Sequence, residues 1–186
     1  MTGRHAFGPV RQNGYVVRDI HAALHHWTQV MGVGPFFRIA RQPVNGLRYR
    51  GETSDASVSV ALAQSGGIQI ELIQPLDERP TAFRDFLRTG REGLQHVAFW
   101  TDDFDGAMQE AGRRGLTVLQ EGCSGSGSPD ERFVYFAEEH HPGTMIELSE
   151  TCGAKGRLFR AVAAAAQGWD GTDPVRDMRP LFGVPA

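Results

Sequence analysis

The sequence has few of the features that mark specialised classes of protein. Its 186 residues include only two cysteines, Cys123 and Cys152, too few for a disulfide framework or a thiolate zinc site. No apolar run approaches the roughly 20 residues of a membrane helix, and the N-terminus lacks an apolar stretch suited to a signal peptide. With 19 basic and 22 acidic residues the net charge is −3, which gives no attraction for nucleic acid. We therefore expect a cytoplasmic protein with neither a membrane nor a nucleic-acid partner.

The composition that remains is typical of a folded globular chain. Hydrophobic residues make up 40% and charged residues 22% of the sequence. The length is sufficient for one domain of about 150 residues with a substantial core. The 23 glycines and 10 prolines indicate many turns.

An internal repeat relates two parts of the chain. The segment QNGYVVRDI at 12–20 aligns with HVAFWTDDF at 96–104. Each copy starts as a short apolar strand, reaches an Asp, and continues as an amphipathic helix, predicted near 20–31 and near 104–114. Asp19 and Asp103 are placed to cap these helices, because a side-chain oxygen there accepts from the free backbone N–H groups.

Short strands are predicted after each helix. They are 36–41, 48–50, 58–64 and 68–74 in the first half, and 117–121, 132–138 and 144–150 in the second. The pattern predicts an α+β fold of two βαβββ modules, about 10–75 and 94–150, within one domain spanning 1–150. The remainder, 151–186, forms a C-terminal extension with helical composition over 156–167, which we expect to lie over the domain or a partner subunit.

Four of the predicted strands each carry one metal-capable side chain opposite an apolar face. These side chains are Gln12, Glu71, His96 and Glu147, so that each module supplies one early and one late in its sequence. A carboxylate within an apolar strand is costly to bury unless it is paired or bound to a cation. A shared metal site is one interpretation. Glutamates that point to water from an open sheet face are the other.

The chain resembles the vicinal oxygen chelate superfamily, which includes glyoxalase I, methylmalonyl-CoA epimerase, extradiol dioxygenases and bleomycin-resistance proteins. The resemblance covers about 10–150 and rests on QNGYVVRDIHAALHHWTQVMGVGPFF, IQIELIQP, GLQHVAFWTDDFDGAM and HPGTMIELSE. It implies paired modules that form a cup-shaped mixed sheet around one metal ion. The ligands it implies are Gln12, Glu71, His96 and Glu147, a set similar to that of zinc-type glyoxalase I. Epimerases usually carry His at the first position, but the GVGPFF segment and the C-terminal extension look more like the epimerase-like branch.

The implied ligand set suits a divalent ion such as zinc, nickel, cobalt, manganese or magnesium. A metal of this kind acts as a Lewis acid and stabilises the enolate formed when a proton leaves the carbon beside a carbonyl. The resemblance points to Glu147 as the base for that proton, with Glu71 as the alternative. Extradiol oxygenation is disfavoured because it needs two His ligands, and only His96 stands at the implied positions.

Several aromatic residues and one histidine are candidates for contact with substrate. Trp100 and Tyr135 are expected to line the cup, and Phe36 and Phe37 to form an apolar lip after a Gly-Pro turn. His141 lies in a turn before the last strand, near the rim. Core packing of the aromatic residues and a solvated turn at His141 are the structural alternatives.

The residues and the resemblance together predict a metal-dependent isomerase or lyase. Its substrate would be a small carbonyl compound or thioester, with epimerisation beside a thioester as the concrete case. One alternative is a metal-free binding protein of the bleomycin-resistance type, and another is glyoxalase I acting on a glutathione hemithioacetal. An Ala-rich helix and an apolar C-terminus also lead us to expect a homodimer.

Overall fold

The structure is a computed structural model, and it describes residues 6–124, 128–137 and 144–182. The strands are β1 (Val10–Val16), β2 (Phe36–Pro43), β3 (Asn45–Tyr49), β4 (Glu52–Thr53), β5 (Ser57–Ser65), β6 (Ile68–Pro75), β7 (Gly93–Thr101), β8 (Val118–Cys123), β9 (Arg132–Phe136), β10 (Met145–Glu150) and β11 (Val175–Asp177). The helices are α1 (Ile20–His25), α2 (Ala82–Arg88), α3 (Phe104–Arg113) and α4 (Gly153–Ala165). A π-helical turn follows α1 at His26–Val30, and a 3-10 turn spans Arg179–Phe182.

The strand order confirms the predicted α+β fold of two paired modules. The order across the single curled sheet is β11-β2-β5-β6-β1-β7-β10-β9-β8-β3-β4. In each module the first strand pairs in parallel with the last, β1 with β6 and β7 with β10. The two first strands pair with each other in the antiparallel sense and so join the modules at the centre of the sheet.

One predicted strand belongs to a different part of the sheet than its position in the chain suggests. The prediction at 48–50 corresponds to β3, which pairs with β8 of the second module through Arg48 with Glu121 and Tyr49 with Gln120. Leu47 and Tyr49 are buried in the same hydrophobic cluster as Phe83 of α2. Burial of these alternate residues explains why the β3–β4 hairpin crosses to the other module.

Two helices cover the outer face of the sheet, each starting at its predicted cap. The Asp19 side chain accepts from the backbone N–H groups of His21 and Ala22, and Asp103 accepts from Gly106. From α1, Ile20 packs in one outer cluster, and from α3, Phe104 packs in another. The first helix is regular only to His25, because its continuation towards residue 30 is π-helical rather than α-helical.

Two glycines near the end of α3 are expected to respond in opposite ways to alanine. Gly112 is exposed, and a Cβ there would meet no atom within 4 Å. We expect Gly112→Ala to raise the free energy of unfolding by about 0.5–1 kcal/mol, since alanine loses less backbone entropy in a helix. Gly115 has a φ of 74°, so Gly115→Ala should lower it instead. Urea denaturation measures both, and a loss of stability in Gly112→Ala would contradict the prediction.

The C-terminal extension packs over its own chain, one of the two places expected from the sequence. From α4, Leu158, Phe159 and Val162 form a cluster with Phe37 and other inner-face residues. The strand β11 then adds to the sheet edge, parallel to β2. The extension thus contributes both to the sheet and to its inner core. The domain boundary predicted at residue 150 stays a prediction. In the described part of the chain, no helix is long and apolar enough to cross a membrane.

Candidate metal centre

Four neighbouring strands at the centre of the sheet carry the four implied metal ligands. Gln12 lies on β1, Glu71 on β6, His96 on β7 and Glu147 on β10. One side-chain ligand atom from each of Glu71, His96 and Glu147 lies within 4.8 Å of the others. The structure therefore brings these three residues, far apart in the sequence, into one group that could hold a metal ion.

The imidazole of His96 occupies space that a side chain at residue 14 would fill. Gly14 and His96 are partners in the β1–β7 register. A Cβ built at Gly14 would lie 1.8 Å from Cε1 and 2.0 Å from Nε2 of His96. Only glycine leaves the room for this ring. The alternation of β1 places residue 14 on the face of Gln12, but the sequence alone did not indicate this role.

A glutamine beside His96 orients its ring. The Nε2 of Gln95 donates to the carbonyl oxygen of Ala82 at 3.0 Å, so its Oε1 faces His96 Nδ1, at 2.9 Å. That oxygen can only accept, and Nδ1 therefore carries a proton. The other ring nitrogen, Nε2, is turned towards the two carboxylates. A histidine held in this way through Nδ1–H is the usual arrangement of a metal ligand.

The atoms that converge in the group lack the hydrogen bonds that would satisfy them. Nε2 of His96 lies 3.2 Å from Oε2 of Glu147 and 3.4 Å from Oε2 of Glu71. These contacts are not aligned as hydrogen bonds, and within the described residues His96 Nε2 and Glu147 Oε2 have no hydrogen-bond partner. Buried polar atoms without partners are costly. A bound cation would satisfy both, so the donor set fits a divalent metal ion.

The protonation of the group follows from its mutual charges. Burial acts to lower the pKa of His96, but the carboxylates of Glu147 and Glu71 outweigh it and raise the pKa to about 9. Burial raises the pKa of Glu71, and the charge of Glu147 adds to this effect. Burial also acts to raise the pKa of Glu147, but contact with His96 and the charges of His96 and Lys155 leave it below its ordinary value. Without a metal, a proton on His96 therefore supplies the positive charge between the carboxylates.

The two carboxylates differ in how deeply they are buried. The side chain of Glu147 is 6% exposed, and the charges of His96 and Lys155 act on it. The Tyr135 ring also meets the His96 ring edge-on, with centroids 4.9 Å apart. Glu71 is 15% exposed, and its polar contact is with His96. Glu147 is therefore the more deeply buried of the two carboxylates, and Glu71 is the more exposed.

The fourth implied ligand, Gln12, is buried. It borders a cavity that Glu71 and Glu147 also border. Its Nε2 donates to Oε1 of Gln69 at 2.6 Å. Because this bond uses the amide nitrogen, the amide oxygen is the atom that could reach a metal ion.

A cavity of about 90 Å³ adjoins Glu71 and Glu147. Its walls are mainly apolar, and one of its few charged residues is Lys155 of α4, which is 4% exposed. Nζ of Lys155 donates to the carbonyl oxygens of Glu131 and Arg132, at 3.0 and 2.9 Å, and to Oγ of Ser149 at 3.1 Å. Burial lowers the pKa of Lys155 to about 8, despite the nearby carboxylates.

The sequence reasoning missed Lys155, although the chain carries a signal for it. Lys155 precedes Leu158, Phe159 and Val162 at helical spacings of three, four and seven residues. These positions share one face of a helix, so the lysine lies on the apolar face of α4. A lysine on a buried face needs acceptors, and this requirement could have placed it near a polar site.

Comparison with known proteins assigns the chain to a family. A sequence profile of the Glyoxalase/Bleomycin resistance protein/Dioxygenase superfamily matches residues 11–136, well over half of the chain. The chain belongs to this superfamily. The resemblance inferred from the motifs is thereby confirmed. A search of curated proteins finds no significant match.

Solved structures with the same fold include several epimerases. Methylmalonyl-CoA epimerase from Mycobacterium tuberculosis is 18% identical, with a TM-score of 0.58, covering 80% of this chain and 91% of its own. A hypothetical protein from Bacillus halodurans is 17% identical, with a TM-score of 0.57, covering 76% and 92%. A Streptomyces coelicolor methylmalonyl-CoA epimerase variant in complex with 2-nitronate-propionyl-CoA is 20% identical, with a TM-score of 0.54, covering 77% and 94%. At these identities the similarity shows the fold alone.

The remaining predicted site residues of this superfamily member lie in different places. Tyr135 borders the cavity. Trp100 stacks on Phe159 of α4 with ring centroids 4.7 Å apart, and Phe37 packs in the same inner cluster. Phe36 is fully buried beneath α1 on the outer face, so it does not form the lip expected from the sequence. His141 lies outside the described residues.

Proposed function

We propose that this superfamily member is a metal-dependent isomerase or lyase. The reaction proposed is removal of a proton from the carbon beside a carbonyl or thioester, as in epimerisation. The observation that supports it is the orientation of His96, whose Nε2 faces two carboxylates without an aligned hydrogen bond. Glu71, His96 and Glu147 would hold the ion, with Gln12 as the fourth ligand.

Different residues of the chain have different roles in the proposed reaction. When bound, a divalent ion of the zinc, nickel, cobalt, manganese or magnesium type would supply Lewis-acid stabilisation of the charge that develops on the carbonyl oxygen. Both carboxylates border the cavity, and Glu71 is the better candidate for the base because it is more exposed than Glu147. Glu147 was the first choice from the resemblance. Its deeper burial, and the charges of His96 and Lys155 that act on it, favour a fixed role as ligand.

Metal analysis of purified protein tests the ligand assignment. The wild-type chain, prepared without chelator or histidine tag, should hold about one divalent ion per chain. Glu71→Gln and Glu147→Gln should each weaken binding by more than the roughly 10–100-fold loss seen when only a supporting hydrogen bond is removed. Glu121→Gln is a matched control, because Glu121 is half-exposed on β8 and pairs with Arg48.

Two results separate the metal site from the reaction. If wild-type protein stays empty after zinc, nickel, cobalt and manganese are offered, the proposal is wrong. If the ion binds, small carbonyl compounds can be incubated with the loaded protein in D₂O and followed by proton NMR. Proton removal beside the carbonyl replaces hydrogen with deuterium at that carbon, whatever the final product. A complete lack of exchange across the series would leave a metal protein without the proposed chemistry.

A binding protein without catalytic activity is the second candidate. The apolar walls of the cavity favour it, since Val58, Val60 and Leu62 offer no group for chemistry. It predicts ligand binding by protein that contains no metal.

Glyoxalase I activity, the third possibility from the sequence, would appear as turnover of methylglyoxal with glutathione. The homodimer and the cytoplasmic location stay predictions, and the apolar face of α4 that suggested a dimer is used within the chain.

A further inference from the structure

The fourth implied ligand, Gln12, stands in the same row of the sheet as Glu147. Both residues are register partners of Ala98 on β7, Gln12 from β1 on one side and Glu147 from β10 on the other. The other two implied ligands flank Gly14 in the same way, one from β6 and one from β7. Because only alanine and glycine stand between the ligands, little side-chain volume separates the members of either pair.

The row continues past Gln12 to a second buried glutamine. Gln69 of β6 is the register partner of Gln12, and neither side chain is more than 2% exposed. Nε2 of Gln12 donates to Oε1 of Gln69 at 2.6 Å. Gln12 borders the cavity beside the carboxylates, and Gln69 does not. Gln69 therefore supports Gln12 from behind and does not face the ligand positions itself.

The direction of this hydrogen bond decides which atom Gln12 presents to the metal-binding group. An amide oxygen has lone pairs that can bind a cation, whereas an amide nitrogen can only donate. With its Nε2 bound to Gln69, Gln12 has its oxygen free for an ion. The reverse bond, from Nε2 of Gln69 to Oε1 of Gln12, would leave the nitrogen as the free end of the Gln12 amide.

The observed direction carries a cost that a bound cation would offset. Within the described residues, Nε2 of Gln69 is buried and has no hydrogen-bond partner. A buried donor without a partner is unfavourable, and the reverse bond would pair it. The observed direction is therefore favoured where the oxygen of Gln12 gains a strong partner, and a divalent ion is such a partner.

We propose that Gln69 is a positioning residue of the metal centre, which makes Gln12 present its amide oxygen to the ion. The inference deepens the proposed function, on which it rests for the presence of the ion. It adds a residue that touches neither the ion nor the substrate. Partners of this kind, which orient a ligand from behind, typically contribute about 10–100-fold to metal affinity.

Two substitutions of Gln69 separate its acceptor from its volume. Gln69→Met removes the acceptor and keeps the length of the side chain, so it should weaken zinc binding about 10–100-fold. Gln69→Glu keeps an oxygen that accepts from Gln12, so it should retain the wild-type affinity. Both affinities are measured by competition with a chromogenic chelator. An equal loss in the two variants would contradict the proposal.

A glutamine on the other face of the same strand is the matched control. The amide of Gln74 accepts from the backbone N–H of Ile20 and donates to the carbonyl oxygen of Arg18. Gln74→Met should lower the midpoint of urea denaturation, as Gln69→Met does, because it also leaves backbone or amide groups without partners. It should leave zinc affinity unchanged, since its contacts lie on the outer face.

A double-mutant cycle shows whether Gln69 acts through Gln12. Gln12→Met removes the fourth ligand and should itself weaken zinc binding. In that background Gln69→Met should cause no further loss, because the oxygen that it positions is gone. Losses that add would show that Gln69 affects the ion independently of Gln12, which would overturn the proposal. If Gln69→Glu does not fold, this cycle still decides.

The same measurements distinguish this inference from the proposed function. Wild-type protein that takes up no zinc contradicts the proposed metal-dependent reaction, and the positioning role falls with it. Wild-type protein that binds zinc while Gln69→Met binds it equally tightly contradicts the positioning role alone. Unchanged binding in Gln12→Met has the same meaning. In these last two cases the metal site of Glu71, His96 and Glu147 stands.

Discussion

Replacing Gly14 with alanine is expected to abolish metal binding through a residue that contacts no metal. The new Cβ would lie 1.8 Å from Cε1 of His96, and the fully buried ring has no free space beside it. The ring must therefore move, and its Nε2 leaves the two carboxylates. We expect at least about a 100-fold loss of metal affinity and a loss of about 1–3 kcal/mol in the free energy of unfolding, as in other overpacked interiors.

A second substitution shows whether the clash is the cause. Adding His96→Ala to Gly14→Ala removes the obstructing ring, so stability should rise above that of Gly14→Ala alone while metal binding stays absent. Gly67→Ala is the matched control, since a Cβ there meets nothing within 4 Å. Metal analysis and urea denaturation measure both effects. A Gly14→Ala protein that still holds one ion per chain would show that the ring is not confined as described.

Glu147→Gln is expected to destabilise the metal-free protein far more than Glu71→Gln. Glu147 is deeply buried beside His96 and balances the positive charge of that residue, and the charge of Lys155 also acts on it. Removal of one partner from a buried pair typically costs about 3–5 kcal/mol. Glu71 is more exposed, and burial raises its pKa and so disfavours its charged form, so its neutral replacement should cost less than about 1 kcal/mol. The two free energies are measured by urea denaturation with a chelator present, and equal losses would contradict this account.

The alternation of side chains in strands, together with the family resemblance, predicted that Glu71, His96 and Glu147 would lie together, and the structure brings them into one group that could hold a metal ion. Each ligand stands at a position where a polar residue interrupts an apolar strand, and the repeat relates the two halves. The same alternation places Phe36 and Phe37 on opposite faces but does not say which face is inner. That depends on pairing across the sheet, where Phe37 meets Leu62. For this reason the predicted lip failed at Phe36, which lies beneath α1.

Features that depend on contacts distant in the sequence could not be predicted. The pairing of β3 with β8 joins segments of different modules, and no local pattern near Arg48 indicates Glu121 as its partner. The hydrogen bond from Gln95 to the carbonyl of Ala82 likewise depends on how α2 packs against β7. The position of Lys155 on the apolar face of a helix could be predicted from the sequence. Its position beside the cavity could not, because that depends on the folded chain.

The antiparallel pairing of β1 with β7 places the candidate centre on the seam between the two modules. Gln12 and Glu71 come from the first module, and His96 and Glu147 from the second. A bound ion would thus act as a cross-link between halves that also meet through the strand pairs β1–β7 and β3–β8. Ligand binding stabilises only the state that contains the complete site, and local opening of either half destroys it. Metal binding would therefore suppress independent opening of the two halves and make the chain unfold as one cooperative unit.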